Sequence, residues 1–320
     1  MKWKKAVTVL DINILPACVP FMAMYLIWCV MSAVAMQMGG YFVHAPYFQT
    51  LILPLFVLVY IFLALFITQL FMVYVNDWLD EIPILRPMMF AICGGLGFFV
   101  YMVMRHGTVK GVWITSLGTA NLIVFACLVA SWMIHPLKRP SELVPLCSVV
   151  ALTDLFSVFA GPTRHLVECI TAYYEKGMQG PPPLADYILV KISVPGFNAA
   201  MPLFGVSDWI ILVFLSSALT KFGFSDNLAG KSILAMKKNN RLTLYLPAAA
   251  LGLMVSIVGA QVSGMFLPAL PFVVICFMAY ALIRYPQIRD LNKREWLIMS
   301  VFSLAMILLL AVGLLIKSNG

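Results

Sequence analysis

Apolar runs of roughly twenty residues, separated by short polar stretches, make up nearly all of the chain. A helix needs roughly 20 apolar residues to cross a bilayer. By that ruler the pattern predicts nine membrane helices, at 14–38, 51–75, 87–104, 112–134, 143–160, 204–220, 242–260, 266–283 and 296–316. The seventh and eighth form one continuous run, divided only by Gln261, Ser263 and Gly264. The fold class expected is an all-α polytopic membrane protein.

Most connections are short, and 161–203 is the exception. It contains Gly180-Pro181-Pro182-Pro183, then Tyr187-Ile188-Leu189-Val190-Lys191-Ile192-Ser193-Val194, closed by Pro195-Gly196. A β-branched run between such breakers reads as a strand or extended segment at the membrane surface. An unpaired strand edge is also a place where an extended peptide can add itself, although an ordinary linker fits the same residues.

Composition agrees with the pattern: 62% of residues are hydrophobic, 11% are charged, and the mean hydropathy is +0.97. The net charge of +8 is concentrated in short juxtamembrane segments. With a cytoplasmic N-terminus, inside segments hold 15 of the 21 Lys and Arg residues, so topology accounts for the basicity and nucleic-acid binding is not expected. Lys2, Lys4 and Lys5 followed by an apolar run, with Ala33-Val34-Ala35 beyond, suggest a signal peptide. The run exceeds an ordinary h-region, and an uncleaved first span is expected. Six of the seven cysteines fall within predicted spans, and only Cys169 lies in a loop. Neither a disulfide framework nor a metal or cofactor site is expected. Asp77-Trp78-Leu79-Asp80-Glu81 reads as a solvated cytoplasmic loop, and Gly94-Gly95-Leu96-Gly97 as a place for close helix packing.

Only two charged residues lie within the nine runs: Asp154, in Ala-Leu-Thr-Asp-Leu-Phe, and Asp208, in Phe-Gly-Val-Ser-Asp-Trp. An ionisable group in hydrocarbon is costly and by default functional, and no base accompanies these two in the runs. Each is expected about 6–9 Å below the same membrane face, counting residues from the span ends at 1.5 Å rise. Two nearby carboxylates share a proton and act as general base and general acid, as in aspartic proteases. A proton or cation site of a transporter uses the same residue type, and that alternative stays open. His-Glu-x-x-His is absent. His44, His106, His135 and His165 lie in loops or at span ends, leaving Ser207 without an evident base. Leu267-Pro268-Ala269-Leu270-Pro271 adds two prolines near the start of the eighth predicted span, where they are expected to remove helix hydrogen bonds and free nearby carbonyls.

Together these pieces resemble the presenilin and signal peptide peptidase family of intramembrane aspartyl proteases, with presenilin the nearer branch. Asp154-Leu155 followed by Gly161-Pro162-Thr163-Arg164-His165-Leu166-Val167-Glu168 is similar to the first presenilin motif. Gly205-Val206-Ser207-Asp208 is similar to Gly-x-Gly-Asp, and Leu267-Pro268-Ala269-Leu270-Pro271 to the Pro-Ala-Leu motif. The resemblance spans about 143–284. It implies a catalytic region 143–284 between a four-span region 1–142 and an additional span in 285–320. It implies Asp154 and Asp208 as the catalytic pair, with Pro268, Ala269 and Leu270 shaping the site. Gly205, Val206, Ser207, Leu189 and Val190 are the further candidate substrate contacts, and residues 187–194 are the segment expected to pair with an unwound substrate. The substrates implied are single-span membrane proteins or signal peptides in a prokaryotic cell membrane.

Three departures stand out. Ser207 replaces a family glycine, adding a hydroxyl placed to bond Asp208 or narrow the cleft, which keeps an inactive, substrate-binding member in view. Thr153 replaces the tyrosine that precedes the first aspartate in the family. Four spans precede the one carrying Asp154 where presenilins have five, which implies an inverted core with 161–203 outside. Gly223-Phe224-Ser225-Asp226 repeats the second motif's pattern, but Asp226 is expected to be solvated in a basic loop.

Overall fold

The computed structural model describes residues 2–42, 53–106, 112–159, 161, 163–178, 180, 182–195, 200–239, 244–263 and 267–318. The protein is mostly helical, and among the described residues five helices are long and apolar enough to cross a membrane. They correspond to the first five predicted spans: Cys18–Met38, Leu53–Glu81, Leu85–His106, Trp113–Ile134 and Pro140–Phe159. The chain is an all-α membrane protein in this coarse sense, with one small sheet.

Two compact units make up the fold: residues 1–132 with 180–213, and residues 133–179 with 214–320. The first contains α1 (Lys2–Phe42), α2 (Leu53–Glu81), α3 (Leu85–His106) and most of α4 (Val112–Ile134). It also contains strands β1 (Leu189–Ser193) and β2 (Ala200–Gly205) and the first half of α7 (Val206–Lys221). Asp77 to Glu81, expected as a loop, instead continue α2, and Asp80 pairs with Arg86 at 3.1 Å. The Gly94–Gly97 cluster packs closely at one position only: a Cβ on Gly97 would meet Asn121 Nδ2 at 3.2 Å, whereas Gly94 and Gly95 face open space.

The segment after the proline run is more structured than the expected single extended stretch. Leu184–Ile188 forms a 3-10 turn, so the strand starts at Leu189 rather than Tyr187. β1 pairs antiparallel with β2, whose residues begin where the sequence predicted linker and end inside the predicted sixth span. The register sets Leu189 against Gly205, Val190 against Phe204 and Lys191 against Pro202, leaving Leu203 as a bulge. Val190, Ile192 and Phe204 face an apolar bed of Trp28, Tyr60, Ile61, Ala64 and Trp209. Phe204 stacks on Trp209 at 5.3 Å with the rings nearly parallel, fixing β2 to the first turns of α7.

A buried base, which the apolar runs gave no reason to expect, sits in this sheet. Lys191 is 7% exposed and its ammonium is paired with the still more deeply buried Asp186. A lone charge there would carry a desolvation cost of several kcal/mol, so each residue requires the other.

The second unit contains α5 (Leu143–Phe159), α6 (Thr163–Glu175), the rest of α7, α8 (Ile233–Asn239), α9 (Ala248–Ser263), α10 (Ala269–Arg284) and α11 (Lys293–Ser318). α6 is a helix within 161–203, expected as a long loop. α9 and α10 are separate helices that approach until backbone meets backbone. A Cβ on Gly252 would lie 2.3 Å from Phe272 O and Val273 Cα, so only glycine fits there. Lys221 closes the carboxyl end of α4 by donating to the carbonyls of Ile134, His135 and Leu137 at 2.8–3.0 Å.

Candidate functional site

The two aspartates belong to different units: Asp208 to the first and Asp154 to the second. In both units the carboxylate meets the amino end of a helix.

In the first unit α7 begins at Val206, so Asp208 is the third helical residue and Gly205 the residue before the helix. The Asp208 carboxylate turns back and accepts the Gly205 N–H at 3.0 Å. This is the reciprocal half of a capping box, placing negative charge where unpaired N–H groups and the helix dipole favour it. Starting α7 at residue 206 rather than 204 puts Asp208 about 3 Å into the helix, nearer its end than the sequence count predicted. A Cβ on Gly205 would sit close to Ser207 Oγ, at 3.2 Å, and in ordinary contact with Asp208 Oδ2, at 3.5 Å. The Ser207 side chain is exposed. Asp208 is half-buried and thus within reach of water.

Leu189 and Val190 are already engaged, opposite Gly205 and Phe204 in the two-stranded sheet. On the far side of β1, the Lys191 N–H donates to Thr119 Oγ1 of α4 at 3.3 Å. Among the described residues, β2 has no third strand beside it. Pro202, which has no N–H to donate, suits such an edge strand.

In the second unit Asp154 lies five residues before the end of α5 and is half-buried. Its Oδ2 accepts the Leu270 N–H at 3.2 Å. Leu270 is the second residue of α10, whose preceding residue Pro268 has extended backbone and offers no side-chain cap. Asp154 therefore supplies, from another helix, the cap that the Leu-Pro-Ala-Leu-Pro sequence lacks. The motif acts otherwise than expected: Pro268 precedes the helix and Pro271 is in its first turn. A missing N–H costs no helix bond in either position, and the available groups are helix-starting N–H donors rather than freed carbonyls. Pro268 and Leu270 are buried, and Ala269 is half-buried between them.

Asp226, expected to be solvated, is 3% exposed. Its carboxylate accepts the Tyr245 hydroxyl, and its backbone carbonyl accepts the Ala248 N–H that opens α9. Burial pushes this carboxyl above the usual carboxylate range, partly offset by the Tyr245 hydrogen bond. Around it, the Tyr280 and Tyr285 hydroxyls both donate to the Ser225 carbonyl. Asn227 Nδ2 donates to the carbonyls of Lys231 and Leu244. This second Gly-x-Ser-Asp sequence is thus a buried structural knot within the second unit. Three tyrosines converging on it were a signal that spacing alone does not carry.

His106 and His135 are exposed at helix ends as expected, His165 lies on α6, and His44 lies outside the described residues. Among the described residues no three His, Cys, Asp or Glu side chains cluster to hold a metal ion. No protein-family model, curated protein or solved structure matches this chain.

Proposed function

We propose that the protein is an intramembrane aspartyl protease that cleaves peptide bonds in or beside substrate transmembrane helices, using Asp154 and Asp208 as the catalytic pair. The observation that carries the reading is the Asp154–Leu270 hydrogen bond. It links, across 116 residues, the first aspartate motif to the Pro-Ala-Leu motif, two pieces of sequence whose common role was implied by resemblance alone. The capping geometry of Asp208 supports it, because a carboxylate locked against its own backbone is held in one orientation.

On this reading nine helices span the membrane, the N-terminus is cytoplasmic, and residues 143–284 form a presenilin-like core of inverted orientation in a prokaryotic cell membrane. One carboxylate takes a proton from water, whose oxygen attacks the scissile carbonyl carbon, while the other carboxyl donates its proton to the carbonyl oxygen. Collapse of the tetrahedral intermediate breaks the C–N bond, and the amine leaves with a proton from the dyad. A helical substrate must unwind first. Residues 187–194, ahead of Asp208 in the sequence, are the segment proposed to pair with it. Pro268, Ala269 and Leu270 border Asp154 and are the residues proposed to shape its surroundings.

The test is cleavage of a single-span reporter by purified protein in detergent, with and without a transition-state analogue of aspartyl proteases. Inhibitable cleavage that vanishes in both Asp154→Ala and Asp208→Ala is expected. Cleavage surviving either substitution refutes the dyad, and ion-dependent uptake insensitive to the analogue would favour a transporter instead. A reporter fused near Gly180 is expected on the outside, and a cytoplasmic signal contradicts the inverted core.

A further inference from the structure

α6 leaves α5 through a turn that only a small residue permits. A Cβ on Gly161 would lie 2.8 Å from Ser157 Cα, and the Ser157 and Thr163 hydroxyls bond across the turn. The 13-residue helix is therefore pinned to the end of a segment long and apolar enough to cross the bilayer.

At 100° per residue, Tyr173, Leu166, Ile170, Tyr174 and Val167 fall in one arc of about 120°, and Thr171, Arg164, Glu175, Glu168 and His165 fall opposite. The apolar arc is only partly covered by the protein. Leu166 is 41% exposed, and Val167, Ile170, Tyr173 and Tyr174 are only half-buried. On the other side His165, Glu168 and Glu175 are exposed. For an amphipathic helix that starts at the mouth of a span, the boundary between headgroups and acyl chains is a neighbour of matching chemistry.

We propose that α6 is an interfacial helix whose Leu166–Ile170–Tyr174 stripe is immersed in lipid beside the end of the Asp154-bearing helix. The proposal requires α5 to span the bilayer and does not depend on protease activity. Arg164 and Lys176 balance Glu168 and Glu175, so attachment is apolar and is expected to need neither anionic lipid nor low salt.

The experiment is a labelling scan on the full chain with its native cysteines replaced. Single cysteines are placed by Leu166→Cys, Ile170→Cys and Tyr174→Cys on one face, and by Glu168→Cys, Thr171→Cys and Glu175→Cys on the other. Each variant carries an environment-sensitive fluorophore in phosphatidylcholine vesicles. The first three are expected to be quenched severalfold more by spin-labelled lipid than by aqueous iodide, and the last three the reverse. The pattern should be unchanged by added phosphatidylglycerol or by salt. Equal iodide quenching on both faces would overturn the proposal. So would an apolar face shielded from both quenchers, which would mean that protein, a second copy included, covers it. Val167→Cys replaces any apolar-face variant that fails to incorporate.

Discussion

Asp208 and Asp154 are held by the same interaction at very different range. Asp208 accepts an N–H three residues before it, within the entry of its own helix. Asp154 accepts one from a helix 116 residues later. The local arrangement survives as long as α7 starts where it does. The distant one depends on everything that positions the start of α10, including the glycine contact with α9. Identical residues with identical partners thus have unequal vulnerabilities, and the two units should fail in different ways.

The largest expected effect breaks the Asp208 side. Lys191→Met removes the ion-pair partner of the buried Asp186, which should cost about 3–5 kcal/mol, while adding Asp186→Leu should restore most of it. Denaturant or thermal unfolding of the single and double variants reads this, and a harmless single substitution would show that the pair is solvated. On the Asp154 side, Gly252→Ala forces α9 from α10 and should cost about 1–3 kcal/mol. An unchanged melting temperature would contradict the backbone contact. Removing only the distant cap, by Asp154→Ala, should cost about 1 kcal/mol, with Asp154→Asn nearly neutral because its amide oxygen still accepts.

The last effect appears only as a change in pH dependence. Burial raises the Asp226 carboxyl, so the folded state keeps this proton to higher pH than the unfolded chain does. Asp226 therefore weakens the fold as pH rises above about 4, and contributes no slope below that, where both states are protonated. Asp226→Asn should flatten the stability–pH curve above this point. Parallel curves for the two proteins would mean that Asp226 is not buried.

The long helices were legible because twenty apolar residues in sequence have few alternatives. β2 was not, since Ala-Met-Pro-Leu-Phe-Gly merges into the apolar run of α7 and its strand character comes from pairing with β1. α6 was missed for the opposite reason: its hydropathy is near neutral and only the spacing of Leu166, Val167, Ile170, Tyr173 and Tyr174 marks it. Both aspartates could be singled out from the sequence because charge inside an apolar run is rare. The Gly205–Asp208 spacing even contains the capping geometry. The partner of Asp154 and the burial of Asp186, Lys191 and Asp226 arise from tertiary packing, which local pattern does not encode.

The most direct measurement compares Asp154→Asn and Asp208→Asn with wild type for both unfolding and reporter cleavage. Asparagine keeps an oxygen to accept the Leu270 or Gly205 N–H but can neither take nor give a proton as the proposed dyad must. Melting temperatures close to wild type together with complete loss of cleavage are expected in both variants. Cleavage persisting in either well-folded variant would make that aspartate a helix cap and nothing more.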